Sequence, residues 1–183
     1  KRRLGDQRGI AITLHEQGRL AQDQDELEEA ERLYQESMKI QETLLDQSVI
    51  ANNWHELGRL AHRRGEIDKA REDFRMSLKT KEAFGFRRGM AITYHELGRL
   101  AMEQGDMSEA RHLFAKSLRM QKRLGDKKGV ATTLYQGGLL AEAERDLIKA
   151  SRRLHKSVKL FRELNSPQLK MAIQRLDEIV KPH

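Results

Sequence analysis

The 183-residue sequence contains no cysteine, and it has few prolines, few aromatic residues and no long apolar run. Without cysteine it can form neither a disulfide nor a thiolate metal site, which favours a reducing compartment such as the cytoplasm. Only 2 prolines and 5% aromatic residues favour a helical chain over a sandwich or barrel. No run approaches the roughly 18 apolar residues of a membrane-spanning helix, and no hydrophobic segment follows the initial KRRLGDQRG. We therefore expect a soluble, mostly helical, cytoplasmic protein.

The sequence does contain an internal repeat with a period of 40 residues. HELGRLA occurs at 55–61 and again at 95–101, and HEQGRLA occurs at 15–21. The same period relates small residues along the whole chain without an insertion: Ala11, Ala51, Ala91 and Ala131; Gly18, Gly58, Gly98 and Gly138; Ser37, Ser77, Ser117 and Ser157. The period defines four repeats, at 4–43, 44–83, 84–123 and 124–163.

Within each repeat the apolar residues recur at the spacing of an α-helix, about 3.6 residues per turn. In the second repeat, one set predicts a first helix, helix A: Ala51, Trp54, Leu57, Gly58 and Ala61. A second set predicts helix B: Ile67, Ala70, Phe74, Ser77 and Leu78. Gly65 lies between them and can adopt the left-handed conformation that ends a helix, as Gly125 can at the end of a helix B, where Asp126 can cap the next helix. Each repeat is therefore predicted to be a helical hairpin.

The order of these residues resembles the tetratricopeptide repeat. The matching positions are Trp54, Leu57, Gly58, Ala61, Gly65, Ala70, Phe74 and Ser77. The period of 40 exceeds the family's usual period of about 34, as in the long-repeat branch found in kinesin light chains and in bacterial sensor or scaffold proteins. The resemblance implies an all-α, right-handed superhelical solenoid of antiparallel helix hairpins. It also implies a binding platform without chemistry of its own.

The two ends of the chain lie outside the four repeats. Residues 1–3 correspond to the last turn of a preceding helix B, and the following LGD corresponds to its cap, so we expect a fragment of a larger protein. At the other end, Ser166 and Pro167 predict a capping helix within 164–183, with a degraded fifth repeat as the alternative. The apolar stripe of this helix comprises Leu169, Ile173, Leu176 and Val180.

The repeated heptapeptide also predicts a binding surface. His55, Arg59 and His62 lie within about 60° of one another on helix A, beside Asn52 and away from the apolar stripe. In tetratricopeptide repeats this part of helix A lines the concave groove. The resemblance therefore implies that the His and Arg of successive repeats form parallel rows, called rungs, on neighbouring helices A. Neighbouring rungs would be on the order of 10 Å apart. The predicted ligand-binding residues are His15, Arg19, Asn52, His55, Arg59, His62, His95, Arg99, Tyr135 and Leu139.

Two interpretations of the histidines and arginines are open at this point. They can bind the carboxylates of an acidic partner, since the arginine fork matches a carboxylate. Alternatively, they are solvated or paired with neighbours such as Glu56 and Glu96. Duplication of a repeat copies residues whether or not they have a function, so recurrence alone does not indicate a binding site. The first interpretation predicts that histidines with a pKa near 6.5 gain charge between about pH 7.5 and 6, and that an acidic ligand then binds more tightly.

The fourth repeat departs from this pattern. Tyr135 and Leu139 replace the His and Arg, Gly137 replaces Leu, and Arg145 stands where a turn glycine is expected. Either the groove is apolar here and accepts a hydrophobic residue of a ligand, or a terminal repeat has drifted beneath its capping helix.

The sequence provides no recognisable catalytic centre. The two histidines of HELGRLAH are seven residues apart, whereas a zinc-binding HExxH helix places them four apart. Histidines on rungs about 10 Å apart could not share one metal ion. A phosphate-binding loop, a nucleophile elbow and a clustered acid pair are all lacking in the sequence. We therefore expect neither an enzyme nor a bound metal or cofactor.

Charge is distributed unevenly along the chain, which carries a net charge of +7. The first repeat has a net charge of −6, the second +1, and the third and fourth +4 each. Opposite charges at the two ends would allow end-to-end self-association. A uniform basic face and stacking aromatics are lacking, which disfavours an RNA-binding helical repeat despite the pI near 9.7.

These features together predict a protein–protein interaction module whose groove binds an acidic protein or peptide segment. The alternative is a structural spacer or self-assembly module, in which the groove is empty and the ends or the helices B make the contacts.

Overall fold

The computed structural model describes the backbone of residues 2–180 and the side chains of residues 6–180. All regular structure in this part of the chain is α-helical. Its helices are α1 (Arg2–Asp23), α2 (Leu27–Leu44), α3 (Gln47–Arg63), α4 (Ile67–Ala83), α5 (Arg87–Glu103), α6 (Met107–Arg123), α7 (Lys127–Ala143), α8 (Leu147–Glu163) and α9 (Leu169–Val180). Helices α1, α3, α5 and α7 are the predicted helices A, and α2, α4, α6 and α8 are the helices B. The predicted all-α architecture is confirmed.

The chain divides into two compact units, Lys1–Thr93 and Tyr94–His183, so that α5 begins in the first and ends in the second. In the first unit α1 packs on α2, α2 on α3, and α3 on α4. In the second unit α6 packs on α7, α7 on α8, and α8 on α9. Packing between consecutive helices in both units is the arrangement of a helical-repeat solenoid.

Residues in the left-handed conformation end the helices. Gly65 and Gly125 have φ angles of 77° and 66°, which confirms the two predicted turns. Arg145 adopts the same conformation in the fourth repeat, with a φ of 61°. This costs a residue with a Cβ atom about 1 to 2 kcal/mol. Asp126 caps α7 as predicted, because its carboxylate accepts a hydrogen bond of 2.9 Å from the backbone N–H of Gly129.

The repeated glycine of helix A lies against the large residue of helix B in the same hairpin. A Cβ atom added at Gly58 would be 2.8 Å from the ring of Phe74, and one at Gly98 would be 2.8 Å from the ring of Phe114. The same contact relates Gly18 to Tyr34 and Gly138 to Leu154. A larger residue would push the two helices apart, so this position requires glycine.

The repeated serine joins the two helices of a hairpin. Its buried hydroxyl donates a hydrogen bond of 2.6 to 2.8 Å to a helix A carbonyl, in the pairs Ser37 to Ala11, Ser77 to Ala51 and Ser157 to Ala131. A buried hydroxyl without a partner would cost about 1 to 3 kcal/mol. The contact therefore orients helix B against helix A in each of these hairpins.

The amino-terminal helix differs from the expectation. Helix α1 runs without a break from Arg2 to Asp23, so the LGD at 4–6 does not end a helix and the predicted cap is wrong. Lys1 lies outside the described residues.

The carboxy-terminal helix α9 covers the fourth hairpin, as predicted. Ala172 and Leu176 are buried in a cluster that includes Leu154 of α8. Val180, which was predicted on the same stripe, is 56% exposed. Ile179 packs against the cluster instead, because it lies two helical turns after Ala172 and continues its line along the helix.

Candidate functional site on the helices A

The arginines predicted as ligand-binding residues lie at the surface of the helices A. The side chain of Arg19 is 56% exposed and that of Arg59 is 47% exposed, while Arg99 at the corresponding position of α5 is 36% exposed. Asn52 and Ile12 are also exposed. We call the surface formed by Ile12, Arg19, Asn52 and Arg59 in the first unit the helix A face.

Each of these arginines pairs with a glutamate one helical turn earlier. The guanidinium Nη1 of Arg59 lies 2.8 Å from a carboxylate oxygen of Glu56, and the corresponding distance from Arg99 to Glu96 is 3.1 Å. Arg19 and Glu16 form the same pair at 3.1 Å. The repeated sequence therefore places an acidic and a basic group together at each position, as the second interpretation of the sequence anticipated.

The histidines of the repeated heptapeptide do not lie on this exposed surface. His55 and His95 are each only 7% exposed, and His15 is half-buried. Each imidazole packs against the aromatic ring of its own hairpin, with ring centroids 5.2 to 5.6 Å apart, in the pairs His15 and Tyr34, His55 and Phe74, and His95 and Phe114. Burial leaves His55 and His95 little surface to offer a ligand.

Each histidine contacts a polar side chain of the following repeat through Nδ1. The Nδ1 atom of His15 lies 2.6 Å from Oδ1 of Asn53. The contact of His55 with Oγ1 of Thr93 is 3.2 Å, and the contact between His95 and Thr133 is 3.0 Å. Since the partner is 38 residues away in every case, the histidine joins one repeat to the next within each unit.

Burial determines how these histidines titrate. It lowers the pKa of His55 well below the usual value of 6.5, and the charges of Lys81 and Arg59 act in the same direction. Burial also lowers the pKa of His95. Burial therefore opposes the gain of positive charge that the sequence predicted for these two histidines between pH 7.5 and 6.

The contact of His15 belongs to a chain of buried hydrogen bonds. Asn53 accepts from His15 through Oδ1 and donates through Nδ2 to the hydroxyl of Ser37 at 3.1 Å. Ser37 in turn donates to the carbonyl of Ala11. Because the carbonyl oxygen of an asparagine can only accept, this arrangement places a proton on Nδ1 of His15.

A buried lysine joins the corresponding contact of the second repeat. Lys81 is only 2% exposed, and its Nζ donates to Oγ1 of Thr93 at 3.1 Å. The hydroxyl of Thr93 donates to the carbonyl of Gly89 at 3.0 Å, so it accepts from both Lys81 and His55. Burial lowers the pKa of Lys81 to about 8. The residues Gln41 and Gln121 occupy the same position in the first and third repeats.

The fourth repeat is covered by α9. Tyr135 is buried in one cluster with Leu154, Ala172 and Leu176, and Leu139 packs against the same cluster. These two predicted ligand-binding residues therefore contact the capping helix, which supports the interpretation of a terminal repeat that has drifted beneath its cap.

A half-buried arginine explains the unusual glycine of this repeat. The guanidinium of Arg153 donates a hydrogen bond of 2.7 Å to the carbonyl of Gly137. A Cβ atom at Gly137 would be 3.1 Å from that guanidinium. Leucine occupies both positions in the third repeat, as Leu97 and Leu113. Relative to the third repeat, the arginine at position 153 and the glycine at position 137 are therefore a paired change.

His62 and Asn52 are the remaining predicted residues. The sequence did not predict the three residues that contact the histidines. His62 is half-buried and Asn52 is exposed. Asn53, Thr93 and Thr133 are buried, and they hold the three histidines. A polar residue that recurs at this position of the repeat, next to a large apolar or aromatic residue, was the signal that could have identified them.

The described residues contain no group of three or more His, Asp or Glu side chains that could hold a metal ion. Within the same residues, none of the helices has both the length and the apolar character needed to cross a membrane.

Solved structures with similar folds share little sequence with this chain. BtubC (BKLC) from P. vanneervenii has a TM-score of 0.78 and 20% identity, over 96% of this chain and 82% of that one. A putative kinesin light chain from Podosopora anserina, with nearly identical TPR-like repeats, has a TM-score of 0.72 and 18% identity, over 92% and 84%. The Rap conjugation gene regulator of plasmid pLS20, solved with the Phr* peptide, has a TM-score of 0.87 and 16% identity, over 96% and 48%.

No curated protein matches the chain significantly. A model of the tetratricopeptide repeat matches residues 9–83 and 89–163, which is most of the sequence. The resemblance inferred from the residues and the helical hairpins seen in the structure agree with this match. The chain belongs to the tetratricopeptide repeat family.

Proposed function

We propose that the helix A face binds an extended, acidic segment of a partner protein. As a tetratricopeptide repeat protein the chain is a protein-interaction domain, and the proposal concerns the surface and the ligand. The Rap regulator with a similar fold was solved with a peptide, which supports a peptide or protein segment as the class of ligand.

The exposed arginines carry the proposal. The bonds of Arg19 and Arg59 to their glutamates use Nη1, and a guanidinium has five N–H donors. The remaining donors can therefore bind a carboxylate in a two-pronged arrangement. The pair of Arg19 with Glu16 is exposed, and such a pair contributes only about 0 to 1 kcal/mol. Glu56 is only 14% exposed, but the side chain of Arg59 remains 47% exposed and accessible to a ligand.

The repeat spacing suits an extended ligand. Packed helices are on the order of 10 Å apart, and an extended chain advances about 3.3 Å per residue. Every third residue of a bound segment would therefore meet the arginine of the next helix A. The exposed Ile12 and Asn52 on the same face would contact the residues between them.

The buried histidines hold the repeats in register instead of contacting the ligand. Because burial lowers the pKa of His55 and His95 and keeps both imidazoles off the helix A face, we expect the affinity for an acidic peptide to change by less than about twofold between pH 7.5 and 6. Fluorescence anisotropy with an acidic peptide selected from a library would measure this. A severalfold tightening at pH 6 would show that other titrating groups bind the ligand.

Charge reversal tests the surface itself. We expect the double variant Arg19→Glu/Arg59→Glu to weaken binding of the selected acidic peptide by at least about tenfold, since each site changes from attraction to repulsion. Arg75→Glu is a matched control, because Arg75 is exposed on α4 and lies outside the helix A face. Circular dichroism would show that helicity is retained.

Unchanged binding by the double variant would contradict the proposal. The helix A face would then be empty, and the chain would act as a spacer or self-assembly module whose contacts lie on the helices B or at the ends.

A further inference from the structure

We propose that the second unit carries a separate docking site for an acidic, amphipathic segment of a partner protein. The site is a cleft between α6 and α8, on the helices B, with a volume of about 560 Å³. Its floor is apolar and comprises Leu118, Val130, Leu134 and Leu160. Basic side chains line it: Lys122, Lys149, Arg152, Lys156 and Lys159. We call this surface the α8 cleft.

The basic residues of α8 form one continuous stripe. Lys149, Arg152, Lys156 and Lys159 follow one another at intervals of three and four residues, so they lie on one side of the helix. At about 1.5 Å per residue the stripe is about 15 Å long. This length matches three turns of a bound helix or a short extended segment.

The chain itself does not neutralise this stripe. Lys149 lies 3.7 Å from Glu144, whereas Arg152, Lys156 and Lys159 form no ion pair with any described residue. Glu163 is the one acidic side chain among the described residues that line the cleft, and it lies 3.8 Å from Lys127. Charge complementarity therefore favours an acidic occupant.

The apolar floor distinguishes between acidic occupants. Leu134 is buried and Leu160 is half-buried, so both lie beneath the exposed lysines and cannot insert into a bilayer. Aromatic rings, on which nucleic acid bases stack, are lacking among the described lining residues. A protein segment with both carboxylates and apolar side chains could pair with the basic residues that line the cleft and also pack against its apolar floor.

A second copy of this chain fits the cleft less well. Helix α2 is the acidic counterpart of α8, but its Glu29 and Glu36 are already paired with Arg32 at 2.6 and 3.0 Å. The large apolar residues Leu33 and Tyr34 of α2 are buried in its own hairpin. Helix α2 of another copy therefore offers few free carboxylates and lacks these side chains for the floor.

The first unit provides residues for a matched test. Glu72 and Met76 of α4 occupy the repeat positions of Arg152 and Lys156, and Trp54 occupies the position of Leu134. The variant Arg152→Glu/Lys156→Met reverses one charge and removes another with residues that the repeat already accepts. The variant Leu134→Trp fills the floor and keeps every charge.

The probe is a labelled peptide of about a dozen residues with Leu at helical spacing and Glu elsewhere. Fluorescence anisotropy with the full chain should show binding, and binding should be at least about tenfold weaker for Arg152→Glu/Lys156→Met and for Leu134→Trp. Lys79→Glu, at the position of Lys159 in α4, and Arg59→Glu on the helix A face should leave it unchanged. If the double variant loses helicity, Lys159→Gln gives the same test with a smaller change.

Equal binding of this peptide by the wild type and by the charge variant would overturn the proposal. So would an unchanged affinity of Leu134→Trp, which would indicate a site for any polyanion. An RNA oligonucleotide and phosphatidylserine vesicles are the comparison ligands. If either binds the wild type while the Leu/Glu peptide does not, the cleft serves a nucleic acid or a membrane and the proposed occupant is wrong.

Discussion

The two units of this protein share one repeat framework and differ in the polar residues added to it. The first unit contains a buried lysine beside His55 and a buried carboxylate, Asp73, whose Oδ2 has no hydrogen-bond partner among the described residues. Leucine occupies the position of Asp73 in the first and third repeats. The second unit instead carries the basic stripe of α8 and the paired change of Arg153 and Gly137.

The contacts within a hairpin are nearly identical in the two units. Gly58 in the first unit and Gly98 in the second each lie against an aromatic ring. The hydroxyls of Ser77 and Ser157 each donate a hydrogen bond to a carbonyl of helix A. The differences lie at positions that these contacts do not use. The framework therefore sets the fold, and function can diverge at the remaining positions without disturbing it.

The largest expected effect tests whether the framework is equivalent in the two units. Gly58→Leu and Gly98→Leu should each destabilise the protein by up to about 3 kcal/mol, because the new side chain meets an aromatic ring. Chemical denaturation followed by circular dichroism would measure the loss. Asn52→Ala, exposed on the same helix as Gly58, is the control and should be nearly silent. A large loss at only one glycine would show that the two hairpins are packed differently.

Asp73 should make the first unit sensitive to pH. Burial raises the pKa of Asp73 from 3.8 to about 6, so the native state favours the protonated carboxyl and the charged form destabilises it at higher pH. Asp73→Asn should therefore stabilise the protein at pH 8 by about 2 kcal/mol. The gain should shrink as pH falls from about 6 to about 4. Denaturation midpoints at pH 8 and pH 4 test this, and an equal gain at both would contradict it.

Removing the buried histidines should have a smaller effect, with the opposite dependence on pH. His55→Gln or His95→Gln should cost about 1 kcal/mol at pH 8 through the lost contact with Thr93 or Thr133. Their lowered pKa means that the unfolded chain binds protons that the native state does not. The contribution of these histidines to stability should thus decline as pH falls below about 6.5, and the variants should lack that decline.

The difference in melting temperature between each variant and the wild type, measured from pH 8 to 5, isolates this contribution from that of Asp73. His112→Gln is the control, because His112 is exposed on α6. A variant with the same pH slope as the wild type would show that the imidazole is not buried in solution.

The smallest expected effect concerns the paired change in the fourth repeat. Gly137→Leu alone should destabilise the protein, since the new side chain displaces the guanidinium of Arg153. The double variant Gly137→Leu/Arg153→Leu restores the residues of the third repeat and should recover part of the loss. A double-mutant cycle should give a coupling of about 1 kcal/mol. Additive effects would show that the two changes are independent.

The sequence alone was sufficient to predict the hairpins. Gly65 and Gly125 adopt the left-handed conformation, and Gly58 contacts Phe74, because turn chemistry and helical periodicity are local and are repeated along the chain. The continuation of α1 through residues 4–6 and the exposure of Val180 were not predicted correctly. The exposure of Val180 depends on how α9 packs against α8, which a local pattern does not contain.

The surface position of Arg59 could be predicted from the angle around its helix, but the burial of His55 could not. A helical wheel gives the direction of a side chain relative to the apolar stripe of its own helix. It does not show that Thr93 and Lys81, distant in the sequence, meet that side chain. The same reason applies to the α8 cleft, because its floor and its rim come from α6, α7 and α8.

The sequence by itself determined the repeat, the helices, the positions that require glycine and the uneven charge, since each depends on residue type and spacing. Only the tertiary structure decided which polar side chains are buried, which charges remain exposed and what α9 covers. Those outcomes depend on contacts between repeats, where the free energy of removing a group from water is set by the residues that surround it. The histidines that a helical wheel places beside Arg59 thus contact the following repeat, and the arginines beside them remain exposed at the surface.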